Sequence, residues 1–312
     1  MEMENTLKLR RKSAMRGYWS RHWALYAMLV LPLTFFFVFR YIPMINVLLA
    51  WSPNNVFLSV WETDWVGWDN FRIAFDNPFF ITAIRNTLMF SLLDLIVGFP
   101  APIILALLLN ELKMERFKKI TQTISYMPHF LSWVIIGSMS LRLFSEHNGA
   151  INNMLYNWFG MTIPFLEAEA HWVVTVVLLN IWRSVGWSTI IYLAAITSIS
   201  PELYEAAEID GASRLRKMWH ITLPGIRPVI ITLFILTLGG TLQADLSRFL
   251  TLENAFVRGV SEVIPTFIFR WAIQGSQFHL GAAIGIFQSA IGLFLLLIGN
   301  WIVKKLGGNA LW

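Results

Sequence analysis

Six stretches of this chain are long and apolar enough to cross a lipid bilayer, a passage that takes about 20 mainly apolar residues in a helix. They run roughly from Trp23 to Leu49, Thr87 to Leu109, Ile124 to Phe144, Trp172 to Ile199, Ile226 to Asp245 and Leu280 to Val303. Inside hydrocarbon there is no water to hydrogen-bond the backbone, so a spanning segment must satisfy its own N–H and C=O groups, as a helix does. The expected fold is therefore all-α, a polytopic membrane protein with six transmembrane helices. Only 14% of the residues are charged, against roughly 25% in a soluble domain. The first stretch follows a basic segment, as a signal peptide would, but a signal's apolar core runs about 7–15 residues and ends at a small-residue cleavage site. This stretch is longer, contains Arg40 and shows no such site, so it reads as a retained span.

Lysine and arginine set the orientation, because they concentrate in cytoplasmic loops. Lys8, Arg10, Arg11, Lys12, Arg16 and Arg21 precede the first span, and Lys113, Arg116, Lys118 and Lys119 follow the second. Arg214, Arg216, Lys217 and Arg227 follow the fourth, and Lys304 and Lys305 follow the sixth. The opposite loops hold only Arg72, Arg85, Arg248, Arg258 and Arg270. Both termini are thus expected in the cytoplasm. The net charge of +5 is accounted for by this asymmetry, and no nucleic-acid partner is expected. Residues 1–22 form a basic cytoplasmic tail, 23–303 one transmembrane domain without internal repeats, and 304–312 a cytoplasmic tail. Three outer segments remain, 51–86, 145–171 and 246–279, the first with an interfacial amphipathic helix expected near Phe71–Arg85.

The loop between spans four and five, residues 199–225, is the most structured of the polar segments. Ser200 is a good N-cap, Pro201 suits the first helical position and Glu202 complements the helix dipole. Gly211 can take positive φ and end that helix. A second short basic helix runs from Ser213 to His220, and Pro224 stops it. Two short helices joined at a glycine form a body that a soluble partner can grip and that can pass movement to the adjoining spans.

Here the chain resembles the permeases of ABC importers. Their hallmark is Glu-Ala-Ala, three residues, Gly, nine residues, Ile-x-Leu-Pro, and it is matched at Glu205, Ala206, Ala207, Gly211, Ile221, Leu223 and Pro224. The segments Tyr41–Met44, Asn86–Leu88, Gly98–Glu111, Tyr126–Phe130, Ile181–Trp187 and Lys304–Trp312 are similar to the oligosaccharide and polysaccharide branch of maltose-type permeases. The stretch Asp245 to Val260 departs from that pattern. The resemblance implies type I permease architecture and a coupling set of Glu205, Ala206, Ala207, Asp210, Gly211, Leu223 and Pro224 that docks in a cleft of an ABC ATPase. It also implies a second homologous permease, an ATPase dimer that carries ATP and Mg, an extracellular sugar-binding lipoprotein and an oligosaccharide substrate, in a bacterial cell membrane whose lipids surround the spans. No cofactor is then expected on this chain itself. The 15 Trp and 24 Phe suit membrane interfaces and a carbohydrate path alike.

Enzyme chemistry finds little support. No Gly is followed by Lys, so there is no Walker A loop, and neither His-Glu-x-x-His nor Gly-x-Ser-x-Gly occurs. The chain has no cysteine. Glu167, Glu169 and His171 read as a solvated helix start, so no metal and no catalytic residue are expected.

Polar side chains within spans usually face a protein interior or a watery path. The candidates for a substrate path are Trp182, Arg183, Trp187, Asn180, Arg142, Asp94 and Gln288, with Arg40, Gln243 and Asp245 also placed in spans. Arg183, flanked by two indoles, either binds a sugar hydroxyl or carboxylate, forms a structural salt bridge, for which Asp94 is a partner, or snorkels toward the outer headgroups. Arg142 is explained by an i,i+4 pair with Glu146, and Arg40 by snorkelling. Asn180 and Gln288 are open between interhelical hydrogen bonding and substrate contact. Gly281, Gly285 and Ser289 form a small-residue ridge that packs either on a second subunit or within this one. Pro100, Pro102 and Pro128 mark a cavity, a pivot or a packing kink. A permease for a non-sugar solute is the alternative within the same class. A secondary transporter would show inverted repeats, and a membrane enzyme convergent acid, base or metal residues.

Overall fold

A computed structural model describes residues 22–54, 61 and 63–305, and every regular element among them is helical. The basic residues from Lys8 to Arg21 and the last seven residues lie outside the described set. Among the described residues five helices are long and apolar enough to cross a membrane: α1 (His22–Trp51), α3 (Pro78–Asn110), α7 (Glu169–Thr197), α9 (Arg214–Gly239) and α11 (Phe278–Lys305). Between them lie α2 (Asp69–Asp76), α4 (Glu115–Tyr126), α5 (Trp133–Phe144), α6 (Ala150–Phe159), α8 (Pro201–Ile209) and α10 (Leu246–Leu252).

The expected third span is not one helix. Pro128 has no N–H to donate, and the chain tightens into a 3₁₀ turn over Met127–Phe130 and then runs extended at Leu131 and Ser132. Ser132 restarts the helix as its N-cap, its hydroxyl accepting from Ile135 N at 3.3 Å. Alone, the 12 residues of α5 reach about 18 Å, short of a bilayer core, so this crossing is a composite of α4, the break and α5.

Two other boundaries differ from expectation for local reasons. The amphipathic helix near Phe71–Arg85 ends at Asp76, because Asn77 caps a new helix by accepting from Phe79 N at 3.0 Å, and Pro78 takes its first position. Span five ends at Gly239, well before Asp245. Within α3, Pro100 and Pro102 remove two donors, and the helix widens into a π turn over Asp94–Gly98.

Among the described residues three cores hold the bundle. One joins α3, α5, α7 and the segment after α9 around Phe90, Trp133, Trp172, Val176 and Phe249. A second joins α2, α3 and α11 through Phe80, Ile264, Phe267 and Leu280. The third lies at the other end, where Ala106, Tyr192, Ile196 and Ile226 pack α3, α7 and α9. Most of the segment 246–279, expected as an outer loop, instead folds back as short helices whose Phe249, Val257, Val263 and Ile264 are fully buried. By contrast α1 is exposed from Trp23 to Val47 and is tied down at its end, where Asn70 Nδ2 donates to the carbonyls of Ala50 and Ser52 at 2.9 and 2.8 Å.

The small-residue ridge of α11 divides. A Cβ at Gly281 would meet Ala272 at 2.6 Å, whereas Gly285 has open space beside it and Ser289 is exposed. The tight crossing falls elsewhere on the same helix, at Gly292, where a Cβ would come within 2.6 Å of the Gly239 carbonyl.

Candidate functional site

The first candidate is the loop that joins α7 to α9. Ser200 occupies the cap position of α8, but its side chain makes no cap hydrogen bond; Pro201 and Glu202 stand in the first turn as expected. Gly211 has φ +69°, and around it Gly211 N donates to Glu208 O at 3.0 Å and Ala212 N to Ala207 O at 2.8 Å. This pair of bonds is the Schellman closure, and it needs a left-handed residue at position 211. Ser213 then caps the next turn, accepting from Arg216 N at 3.4 Å.

Side chains lock this body to the spans. Lys217 Nζ lies 2.5 Å from Glu208 Oε1, and Tyr204 shares a 2.9 Å hydrogen bond with Thr222, which is buried. The Lys217 hydrogen bond, and then its charge, hold the Glu208 carboxyl below the usual carboxylate range. A π turn over Met218–Thr222 leads into Leu223 and Pro224. Glu205, Ala206, Asp210 and Gly211 stay exposed, Ala207 and Leu223 half-buried. So do several large apolar side chains that a free surface would not favour: Leu203, Ile209 at 87% exposure, Leu215 and Trp219. A cleft of about 450 Å³ beside Glu205 reaches Asn110 and Tyr204.

The second candidate is the surface around the break between α4 and α5. α7 presses against it, since a Cβ at Gly186 would collide with the Ser125 carbonyl at 2.0 Å. Arg183 and Trp187 lie one turn apart on that face of α7. Arg183 Nε donates to the carbonyl of Leu131 at 3.2 Å, an acceptor freed by the broken helix, and its guanidinium lies 5.2 Å from the Trp133 ring centre. Trp187 stacks on His129, ring centres 4.6 Å apart and planes at 3°, with Phe130 edge-on at 5.9 Å.

The remaining sequence candidates are placed apart from this cluster or are tied up in the fold. Asp94 pairs with Arg248 at 2.8 Å and accepts from Asn180 at 3.1 Å, so its partner is not Arg183. Arg248 is nearly buried, lies against the rings of Phe90 and Phe249, and comes from the segment that sequence reading assigned to an outer loop. Gln288 donates to Leu242 O at 2.9 Å, closing the turn after α9. Asp245 caps α10 through Ser247 N at 2.9 Å and accepts from Trp133 Nε1 at 2.7 Å. Gln243, Arg40 and Arg142 are exposed. No Arg142–Glu146 ion pair forms among the described residues, because α5 ends at Phe144 and the i,i+4 spacing no longer places the two on one face. Trp182 points to a different side of α7, lining an apolar groove of about 580 Å³ with Met139 and Leu178. Glu167, Glu169 and His171 do not converge, and no group of three metal-binding side chains is found among the described residues. Sequence reading missed His129, Phe130 and Trp133 as site neighbours; Pro128 and the polar Ser132 inside an apolar run were the signal that could have found them.

The structure thus holds an exposed loop, closed at Gly211, between two spanning helices, and a polar and aromatic seam at a broken span. The chain belongs to the family of binding-protein-dependent transport system inner membrane components, whose pattern it matches over residues 98–308, and is thus a multi-pass membrane permease. It is 42% identical to the polygalacturonan/rhamnogalacturonan transport system permease protein YteP of Bacillus subtilis, over 92% of this chain and 90% of that one. It is 29% identical to the arabinooligosaccharides transport system permease protein AraP of the same organism, over 88% of this chain and 85% of the other. Its fold superposes with TM-score 0.85 and 36% identity on a chain from the crystal structure of a bacterial ABC transporter involved in the import of the acidic polysaccharide alginate, covering 93% of this chain and 98% of that one. A related structure, of the bacterial alginate transporter in complex with an alginate pentasaccharide-bound periplasmic protein, matches at TM-score 0.85 and 35% identity, over 95% of this chain and 99% of that one.

Proposed function

We propose that this chain is the permease subunit of an ATP-driven oligosaccharide importer. It encloses part of the sugar path and couples that path to a separate ATPase through residues 199–225. The observation that carries the coupling role is the Schellman-closed helix α8, pinned to α9 by Lys217–Glu208 and Tyr204–Thr222 while Leu203, Ile209, Leu215 and Trp219 stay uncovered. A body that is rigid inward and apolar outward suits a protein partner. Relatives named for pectic, arabinan and alginate sugars support the cargo class.

In this reading Glu205, Ala206, Ala207, Asp210, Gly211, Leu223 and Pro224 form the coupling set, and ATP and Mg are bound by the partner ATPase dimer. A second homologous permease completes the path, and an extracellular binding lipoprotein delivers the sugar. ATP acts on the path only by stabilising one of its two states over the other. Six crossings, the third of them broken, put both basic termini in the cytoplasm, with 1–22 and 304–312 as tails of a 23–303 membrane domain. The mechanism leaves no covalent chemistry to this chain.

The test is purification of the chain from native membranes with identification of what accompanies it. Wild type is expected to bring an ABC ATPase, a second six-span protein and a sugar-binding lipoprotein. Glu205→Ala and Gly211→Pro are expected to lose ATPase recovery or coupled uptake. A chain that carries no ATPase and transports indifferently to both changes would overturn the reading in favour of a secondary transporter.

A further inference from the structure

The helical turn Arg258–Ser261 rests against both α3 and α7, and charge gathers around its Gly259. Arg85 of α3 donates Nη2 to the Gly259 carbonyl at 3.4 Å. Glu169, at the start of α7, comes as close, since a Cβ at Gly259 would meet its Oε1 at 2.8 Å. Arg258 is the next residue in the chain. Nearby, Arg270 is spent on Glu253 and Glu262. The other three charges have no ion-pair partner among the described residues. Arg85 reaches only neutral acceptors, Asn86 Oδ1 and the Gly259 carbonyl, and Arg258 and Glu169 are exposed.

Arg85 stands on a stripe of α3 that otherwise reads Ile81, Leu88 and Leu92, all exposed on one face of a spanning helix. Such a stripe faces hydrocarbon, and a guanidinium on it must turn back to the headgroups, where phosphate is the counter-ion at hand. Arg85 lies about two turns into α3, and its hydrogen bond holds the guanidinium at the level of Gly259. A cleft of about 510 Å³ runs from Gly259 and Arg258 to Phe79 and Trp271, whose ring centres are 6.2 Å apart. Aromatic rings of this kind collect at the headgroup level of a membrane.

We infer that this corner is a binding site for a phospholipid with a primary-amine headgroup, of the phosphatidylethanolamine type. Its phosphate lies on Arg85 and Arg258, its ammonium on Glu169, and its acyl chains along the α3 stripe. The charges decide the class. Two free guanidinium groups beside one free carboxylate match a phosphate–ammonium pair. An anionic headgroup would leave Glu169 unpaired next to its phosphate, and a quaternary amine has no N–H to give the carboxylate. The inference goes beyond the transport reading and needs only that the chain spans a membrane.

The test is native mass spectrometry of the complete transporter, mixed in detergent with equal parts of phosphatidylethanolamine, phosphatidylcholine and phosphatidylglycerol of the same acyl chains. Wild type should retain phosphatidylethanolamine about tenfold over either of the others, the worth of one charge-assisted hydrogen bond. Arg258→Gln, which removes no side-chain contact within the described residues, should lower that retention about as much. Glu169→Gln should move the preference toward phosphatidylglycerol. Arg72→Gln, a change at an exposed arginine of α2 whose nearest carboxylate is 3.8 Å away, should leave it as in wild type. Equal retention of the three lipids by wild type, or a preference that survives Arg258→Gln or Glu169→Gln, would overturn the site. So would an assembled transporter that retains no lipid, since the stripe would then be covered by another subunit.

Discussion

The φ of +69° at Gly211 costs a non-glycine L-residue about 1–2 kcal/mol. Gly211→Ala should therefore loosen the Schellman closure and lower sugar-stimulated ATP hydrolysis in the assembled transporter, while Gly211→Asn, which visits this conformation more readily, should retain more of it. The Asp94–Arg248 side chains are 32% and 4% exposed. Removing one member leaves the other uncompensated, at a cost of order 3 kcal/mol. Arg248→Met should lower the thermal midpoint in detergent, followed by tryptophan fluorescence, and Asp94→Asn in the same chain should recover part of the loss. Equal midpoints for wild type and the single variant would show the pair to be idle. At this scale sequence was an uneven guide. The roles of Gly211 and Pro201 follow from backbone chemistry and were readable in advance. The partner of Asp94 was not, because Arg248 lies 154 positions away on a segment that hydropathy assigns to solvent.

Helices were legible wherever apolar length alone decides, as in α7 and α11, and misread where one proline or one polar cap outweighs hydropathy. Pro128 and Ser132 turn a continuous apolar run into two helices, and Asn77 splits the expected amphipathic helix between α2 and α3. The buried fold of most of the segment 246–279 was invisible to a span search because its helices are only a turn or two long. Ser132→Ala should cost about 1 kcal/mol, the usual worth of an N-cap, and increase amide exchange at the start of α5 with little effect at α7. In the loop of residues 199–225, the lowered Glu208 pKa means that the folded loop favours the carboxylate. The Lys217 contact is therefore intact above the ordinary carboxylate range and is lost as pH falls through the lowered value. Lys217→Gln should move the Glu208 titration back up toward the ordinary range, read by carbon-13 NMR of the carboxyl; an unmoved titration would show that Lys217 is not its cause.

The whole molecule is a bundle with a structured loop at one end and a folded-back segment at the other, and the proposed topology puts those ends on opposite sides of the membrane. Because the chain contains no cysteine, sidedness can be read without background. A cysteine placed at Ser213 should react with a membrane-impermeant maleimide only in inside-out vesicles, and one at Ser276 only in intact cells. In the proposed mechanism a partner's ATP hydrolysis moves sugar through this chain by way of residues 199–225. Its most direct measurement is uptake of a labelled oligosaccharide into liposomes holding the complete transporter, comparing wild type with a Gly211→Pro variant that remains assembled. ATP-dependent uptake in wild type, lost in the assembled variant, is the expected result. Uptake that proceeds without ATP, or equally in both proteins, would contradict the account.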